Sequence, residues 1–382
     1  MSSGAQKIVV RGVNWLGDAV MSTSALQRLR QALPNANITL LTHEKLAGLW
    51  KDQPFLDEVM VFTSEESPLH IGRRLRWGKF DVGLLFPNSP RTALELWFGK
   101  IPERIGYARP WRNLFLTRRI APRREEVQMH KRSRSEIEER IRSQKKRDTF
   151  PASAHHVHHY LHLVAEAFGA DPEPLRPSLV VTEQQIEQFK ARFGAGNYAG
   201  PTFGLNPGAE YGLAKRWPKE SFIEAAVSLH AQTGCRWFVF GGKADVPLSG
   251  EIAVALARSM PEGSVVNLAG KTSLGELCAA LKCCDLLLTN DTGPMHLAAA
   301  VGTPVVVPFG STSPELTGPG LPGGREHSAV ISDVPCAPCF LRECPIDFRC
   351  LRGISADAVV SAALKRFRER IGTKDGQGST RV

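Results

Sequence analysis

Short apolar runs alternate with amphipathic stretches along most of the chain. After a short polar start at 1–6, residues 8–11 form a strand-sized apolar run and residues 12–18 read as a loop. Residues 19–33 then place Val20, Leu26, Leu29 and Leu33 on one side of a predicted helix. Further strands are predicted at 38–41, 58–62 and 81–86. A charged, exposed helix is predicted at 135–146, with 144–148 mobile, followed by an amphipathic helix at 157–168. Residues 171–177 carry three prolines in seven positions, a linker composition that marks a domain boundary. The pattern then restarts, with strands at 202–206, 236–240, 285–289 and 304–309 and helices at 219–233, 251–259, 274–282 and 294–301. A helix at 356–370 closes the chain, and the tail after Gly372 is expected to be disordered. Strand and helix signals that alternate in this way predict an α/β fold, with parallel sheets covered on both faces.

Length and composition agree with two such domains. The chain has 382 residues, 42% hydrophobic and 23% charged, which permits a large core and excludes a mainly disordered protein. Of the net charge of +10, residues 118–147 hold +7, from twelve Lys/Arg against five acidic residues. The basicity is therefore local, which argues against a nucleic-acid footprint and for contact with an anionic surface such as lipid headgroups or acceptor phosphates. No apolar run reaches the length of a membrane span and no signal peptide is evident, so a cytoplasmic location is expected. All eight cysteines lie after residue 234, unlike the spread of a secreted disulfide framework.

Four loops that follow predicted strands carry candidate chemistry. In 289–296 (TNDTGPMH), Pro294 opens a helix that Asp291 or Thr292 can cap. Gly293 allows close approach, and the helix N-terminus suits a pyrophosphate that His296 could also reach. In 206–218 (NPGAEYGLAKRWP), glycines accompany Lys215, a point charge, and Arg216, a fork. The loop 12–18 resembles a dinucleotide fingerprint, but Asn14 stands where a glycine is needed, which argues against a nicotinamide cofactor. Asp18, beside a helix start, can cap that helix or take a proton from a substrate hydroxyl. In 240–245 (FGGKAD), Gly241 gives backbone access, and Asp245 or Glu251 could hold ribose hydroxyls.

Taken in order, N-W-L-G-D (14–18), P-G-A-E-Y-G-L-A-K-R-W-P (207–218), F-G-G (240–242), N-L-A-G-K-T (267–272) and N-D-T-G-P-M-H (290–296) resemble the ADP-heptose–lipopolysaccharide heptosyltransferases. F-P-N-S (86–89), R-I-G-Y (104–107) and Tyr160-Leu161-His162-Leu163 fit the same pattern. The resemblance covers about residues 7–365 and is strongest to the branch that adds the second core heptose. It implies a GT-B fold: two Rossmann-like domains facing each other across a cleft. On that reading 1–172 is the acceptor domain, with the basic insert at about 118–150, and 178–355 is the nucleotide-sugar domain. The helix 356–371 would pack back on the first domain. The resemblance implies Asp18 as general base and Lys215 as stabiliser of the departing ADP. Asp291, Thr292, Gly293, His296, Gly241, Asp245 and Glu251 would serve the donor, and Asn14, Asn88 and Arg104 the acceptor.

The implied reaction is inverting transfer of heptose from ADP-heptose to the heptose of Kdo-lipid A, at the cytoplasmic face of the inner membrane. The chain has no Asp-x-Asp motif, so no cofactor or divalent metal is expected to be required. Other readings are a heptosyltransferase that adds the first heptose, another GT-B sugar-nucleotide enzyme such as an epimerase, and a non-catalytic binder of anionic surfaces. Cys336, Cys339, Cys344 and Cys350 form C-x2-C-x4-C-x5-C, a spacing open to zinc or iron–sulfur ligation, disulfides or free thiols. His155, His158, His159 and His162 fall at helical spacing and could ligate a metal, although a surface or acceptor-facing helix is the preferred reading.

Overall fold

The computed structural model describes residues 5–196 and 198–377. The chain divides into two compact units, one made of Met1–Glu126 with His156–Val180, the other of Val127–His155 with Val181–Val382. The first is built on strands β1 (Lys7–Arg11), β2 (Asn37–His43), β3 (Glu58–Phe62), β4 (Val82–Leu85), β5 (Glu103–Tyr107) and β6 (Arg118–Ile120). They pair in the order β3-β2-β1-β4-β5-β6, all parallel. The second has β7 (Thr202–Asn206), β8 (Arg236–Val239), β9 (Val265–Asn267), β10 (Leu286–Thr289), β11 (Val305–Phe309) and β12 (Ser328–Ile331). Their order, β12-β11-β10-β7-β8-β9, is again parallel throughout and repeats the arrangement of the first sheet. Both sheets are thus of the Rossmann type, the α/β architecture expected of GT-B proteins.

Burial on both faces explains why the central strands read as continuous apolar runs. Every residue of β4, β7, β8, β10 and β11 is buried. In the first unit Val9, Leu41 and Leu85 meet Ile71, Leu75 and Leu96 from the covering helices Pro68–Gly78 and Pro90–Phe98. Both were missed in the sequence although each buries one apolar face, through Ile71 and Leu75 and through Ala93 and Leu96. They are set by their starts, where Ser67 and Ser89 cap first turns opened by Pro68 and Pro90.

Several elements depart from the sequence reading. The helix expected at 19–33 begins at Leu16 and is split at Ser22 into Leu16–Met21 and Thr23–Ala32. There the Ser22 and Thr23 hydroxyls donate to the carbonyls of Ala19 and Val20 and compete with the helix ladder. Asp18 therefore stands within the first turn of a helix.

The basic insert, expected in the first domain, is divided: residues 118–126 belong to the first unit and residues 127–155 to the second. Its helix is Arg134–Arg142, started by a Ser133–Glu136 capping box. Residues 144–148 are tied down: Asp148 pairs with Arg132 and Arg140, and Arg147 is buried.

The last helix, Ala356–Gln377, also lies on the second unit. Val359, Val360 and Ala363 enter the core with Phe203, Phe222 and Trp237, and Phe367 meets Phe203 edge-on. Its buried face thus belongs to the core of the second unit, of which the helix is a part. The helix runs past Gly372 to Gln377, against the disorder expected there, and the rest of that tail lies outside the described residues.

Candidate functional site

In this strand order the connections reverse direction between the first and fourth strands of each sheet. Loops leaving their carboxyl ends diverge and open a crevice. In the first unit those strands are β1 and β4, followed by 12–18 and 86–89. In the second they are β7 and β10, followed by 207–218 and 290–296. The motif loops singled out in the sequence leave the two switch points.

In the first unit, Asp18 Oδ1 accepts a hydrogen bond from the Tyr160 hydroxyl at 2.8 Å, and His156 Nδ1 lies 3.4 Å from the same oxygen. Burial, and then the Asp18 charge, push the Tyr160 phenol well above its ordinary value, so it stays protonated and donates. The Asp18 side chain keeps 25% exposure, so the carboxylate is reachable from solvent. Behind it Arg11 is buried, with Nε 2.7 Å from Glu95 and Nη1 donating to the Gly12 carbonyl and to Asn14 Oδ1. Asn14 is thereby held as part of the loop. Asn88 Oδ1 accepts from Arg112 Nη1 at 2.9 Å, and Asn88 Nδ2 lies 3.5 Å from His159 Nε2. Burial holds His159 down to about 3, hence neutral, and lowers Arg112 to about 10.

The 104–107 segment supports this cluster from behind. Arg104 lies at the amino-terminal end of β5 and donates to the carbonyls of Ile101 and Phe115, away from the switch point. Gly106 makes room for Arg112, since a Cβ there would sit 2.5 Å from Nη2. The Tyr107 hydroxyl donates to the His159 carbonyl at 2.6 Å. Of the four histidines at helical spacing, His155 precedes the helix and belongs to the second unit, His158 is half-buried, and His159 and His162 both pack against Tyr107, His162 also reaching the Ala121 carbonyl; His156 and His159 flank Tyr160. Arg112, His156 and Tyr160 were missed as site residues. The Tyr-Leu-x-Leu pattern was the one signal for Tyr160, and Arg112 gave none.

In the second unit, Lys215 Nζ lies 2.6 Å from Asp291 Oδ2 and 4.8 Å from the Tyr211 ring centre. The Thr312 hydroxyl donates to the same carboxylate. Asn290 binds the two loops together, accepting from the Trp217 amide at 2.9 Å and donating to the Pro207 carbonyl at 2.7 Å. Asp291 is thus spent on Lys215 and Thr312 rather than on a helix cap. Thr292 holds the N-cap position of the helix Gly293–Ala300 without a side-chain cap bond. An uncapped start leaves a first-turn N–H to a ligand. His296 is buried on that first turn.

Asp245 fills the space over Gly208, accepting from the Gly242 amide and pairing with Arg216. Gly241 closes against Ser249 and Asp245. Glu251 points outward on the helix Val246–Ser259, paired with Lys219. Among the described residues no three His, Cys, Asp or Glu side chains are gathered for a metal ion.

Two Rossmann-type units, one with an accessible carboxylate and the other with a cation beside a helix start, define a glycosyltransferase of the GT-B class. The chain belongs to glycosyltransferase family 9 (heptosyltransferase), whose profile matches residues 119–348. It is 32% identical over 321 residues to the lipooligosaccharide heptosyltransferase 2 of Haemophilus influenzae, covering 82% of this chain and 85% of that protein. It is 30% identical over 326 residues to the lipopolysaccharide heptosyltransferase 2 of Salmonella typhimurium, again covering 82% and 85%. Its fold is similar to that of the Escherichia coli ADP-heptose lps heptosyltransferase II, with a TM-score of 0.73 at 24% identity, covering 95% of this chain and 99% of that one.

Proposed function

We propose that this chain is a heptosyltransferase II: it transfers L-glycero-D-manno-heptose from ADP-heptose, with inversion, to the heptose of the lipopolysaccharide inner core. The observation that carries the reading is the pair of heptosyltransferase 2 relatives aligned across 82% of the chain, with the motif loops 207–218 and 290–296 inside the residues that match the family. Asp18 takes the proton of the attacking heptose hydroxyl as the new C–O bond forms at the anomeric carbon. The bond to the diphosphate breaks, and ADP leaves with the electron pair. Lys215 and the free start of the helix Gly293–Ala300 stabilise that charge, so no divalent metal is required for the step. Asp291, Thr292, His296, Gly241 and Asp245 shape the donor site, and Asn14 and Asn88 shape the acceptor site. Glu251 and Arg104 are the weaker members of these sets, being occupied elsewhere.

The enzyme works at the cytoplasmic face of the inner membrane as a peripheral protein. Among the described residues no helix is long and apolar enough to cross a membrane. Trp111 and Leu114 are 82% and 78% exposed, a pair suited to the headgroup region.

The test is transfer from ADP-heptose, in EDTA, to Kdo-lipid A acceptors bearing zero or one heptose. Transfer to the one-heptose acceptor alone, reduced roughly a hundredfold or more by Asp18→Ala, is expected. Preference for the bare acceptor would make the enzyme the first transferase, and no transfer to either would require another sugar nucleotide.

A further inference from the structure

Cys336, Cys339, Cys344 and Cys350 take no part in the transfer chemistry, yet they converge. All four line one small pocket with Ile137, Ile346 and Arg349, and no carboxylate reaches it. The pocket has room for about one water-sized particle. The backbone around it is arranged for sulfur. Phe340, just after Cys339, holds a left-handed φ of +56°, and the amide of Leu341 donates to the Cys339 sulfur. Phe348 holds φ +57° and its amide donates to the Cys344 sulfur at 3.2 Å. A bulky residue adopts this conformation only where its surroundings over-determine it. Two backbone amides thus point at sulfurs of the quartet.

The surroundings are basic. Arg147 is buried, its Nε and Nη1 have no hydrogen-bond partner, and its Nη2 reaches the Thr312 carbonyl only at 3.3 Å, with Glu315 and Asp333 as nearby carboxylates. Arg132 pairs with Asp148. Four thiolates on a divalent ion carry a net charge of −2, which suits a site beside these cations.

We infer that Cys336, Cys339, Cys344 and Cys350 form a structural site for a single thiophilic divalent ion, zinc or iron. Tetrahedral sulfur ligation suits either ion. The sulfurs line the pocket without being gathered for one ion, so loading turns the thiols inward about χ1, the single torsion each has. One ion and four thiols give the tetrathiolate centre and four protons, with no change of oxidation state. The basic insert covers the site: Arg132 Nη1 donates to the Cys336 carbonyl at 2.8 Å, Arg140 Nε donates to that of Pro335 at 2.7 Å, and Ile137 packs on Cys336 and Cys339.

Elemental analysis of the full chain, purified under reducing conditions from medium containing both metals, tests this. About one zinc or iron ion per chain is expected, and which ion it is separates the two sources. Cys336→Ser and Cys344→Ser should each reduce the content to background. Should those variants fail to fold, the wild-type chain decides. Stripped and titrated with Co²⁺, it should develop intense tetrahedral bands with sulfur charge transfer and release about four protons per ion. Metal at background both as purified and after reconstitution with zinc or iron would overturn the inference, as would a mass deficit showing disulfides among the four cysteines. None of these readouts depends on heptose transfer, so their failure is distinct from failure of the proposed activity.

Discussion

The Tyr160 hydroxyl that donates to the proposed base is held protonated, and His159, packed edge-on against Tyr160, is held neutral, both mainly by burial. For His159 this has a cost at low pH. The unfolded chain binds a proton there near the ordinary value of 6.5, while the folded chain does so only near 3. Between these values the unfolded state binds more protons, so stability falls as pH falls, by up to about 1.4 kcal/mol per pH unit. Thermal unfolding from pH 6.5 to 4 should therefore show a shallower decline for His159→Gln than for the wild type. An unchanged slope would mean that other groups govern acid lability. On the donor side, Lys215 is 14% exposed against a nearly buried Asp291. If its ammonium meets the departing diphosphate, Lys215→Ala should lower kcat roughly a hundred- to a thousandfold, the usual loss for one charge-stabilising donor. Single-turnover rates at saturating donor check this without interference from binding.

At the level of elements, the strands that bury both faces were legible because an apolar run bounded by turn residues has few other uses. Thr202–Asn206 and Glu58–Phe62 were read to the residue. β5, β6, β9 and β12 were not read. Three of them are only three or four residues long, and β5 carries Glu103 and Arg104 among its five residues. The motif loops were legible because glycine, proline and charge after a strand form an unusual combination. What those residues touch was not, since Asp18–Tyr160 and Arg112–Asn88 are contacts between distant segments. The final helix shows the same limit: its position was legible and its contacts with Phe203, Phe222 and Trp237 were not. The edge-on contact of Phe203 with Phe367 makes that docking measurable. A double-mutant cycle with Phe203→Leu and Phe367→Leu in denaturant unfolding should give a coupling of about 0.5–1.5 kcal/mol, the range for an aromatic pair. Zero coupling would place the helix elsewhere.

At the level of the whole molecule, the excess charge serves two ends. Arg132, Arg140 and Arg147 turn inward, whereas Lys131, Lys145 and Lys146 remain exposed. At about 1 kcal/mol per basic residue near an anionic leaflet, replacing all three lysines by Gln should weaken partition onto phosphatidylglycerol vesicles by roughly a hundredfold. Neutral vesicles should bind neither protein, and added salt should erode the difference. Equal binding by both proteins would remove the lysines from the proposed membrane contact. The membership of residues 127–155 in the second unit also has a consequence in time. This segment leaves the ribosome about two hundred residues before the cysteine loop it covers, and Arg132 and Cys336 are 204 positions apart. At 5–20 residues per second the delay is about 10–40 s. For that interval Arg132 and Arg140 have Asp148 but not the carbonyls of Cys336 and Pro335, and Ile137 lacks Cys336 and Cys339, so the nascent chain must be kept from mispairing until the cysteine loop arrives.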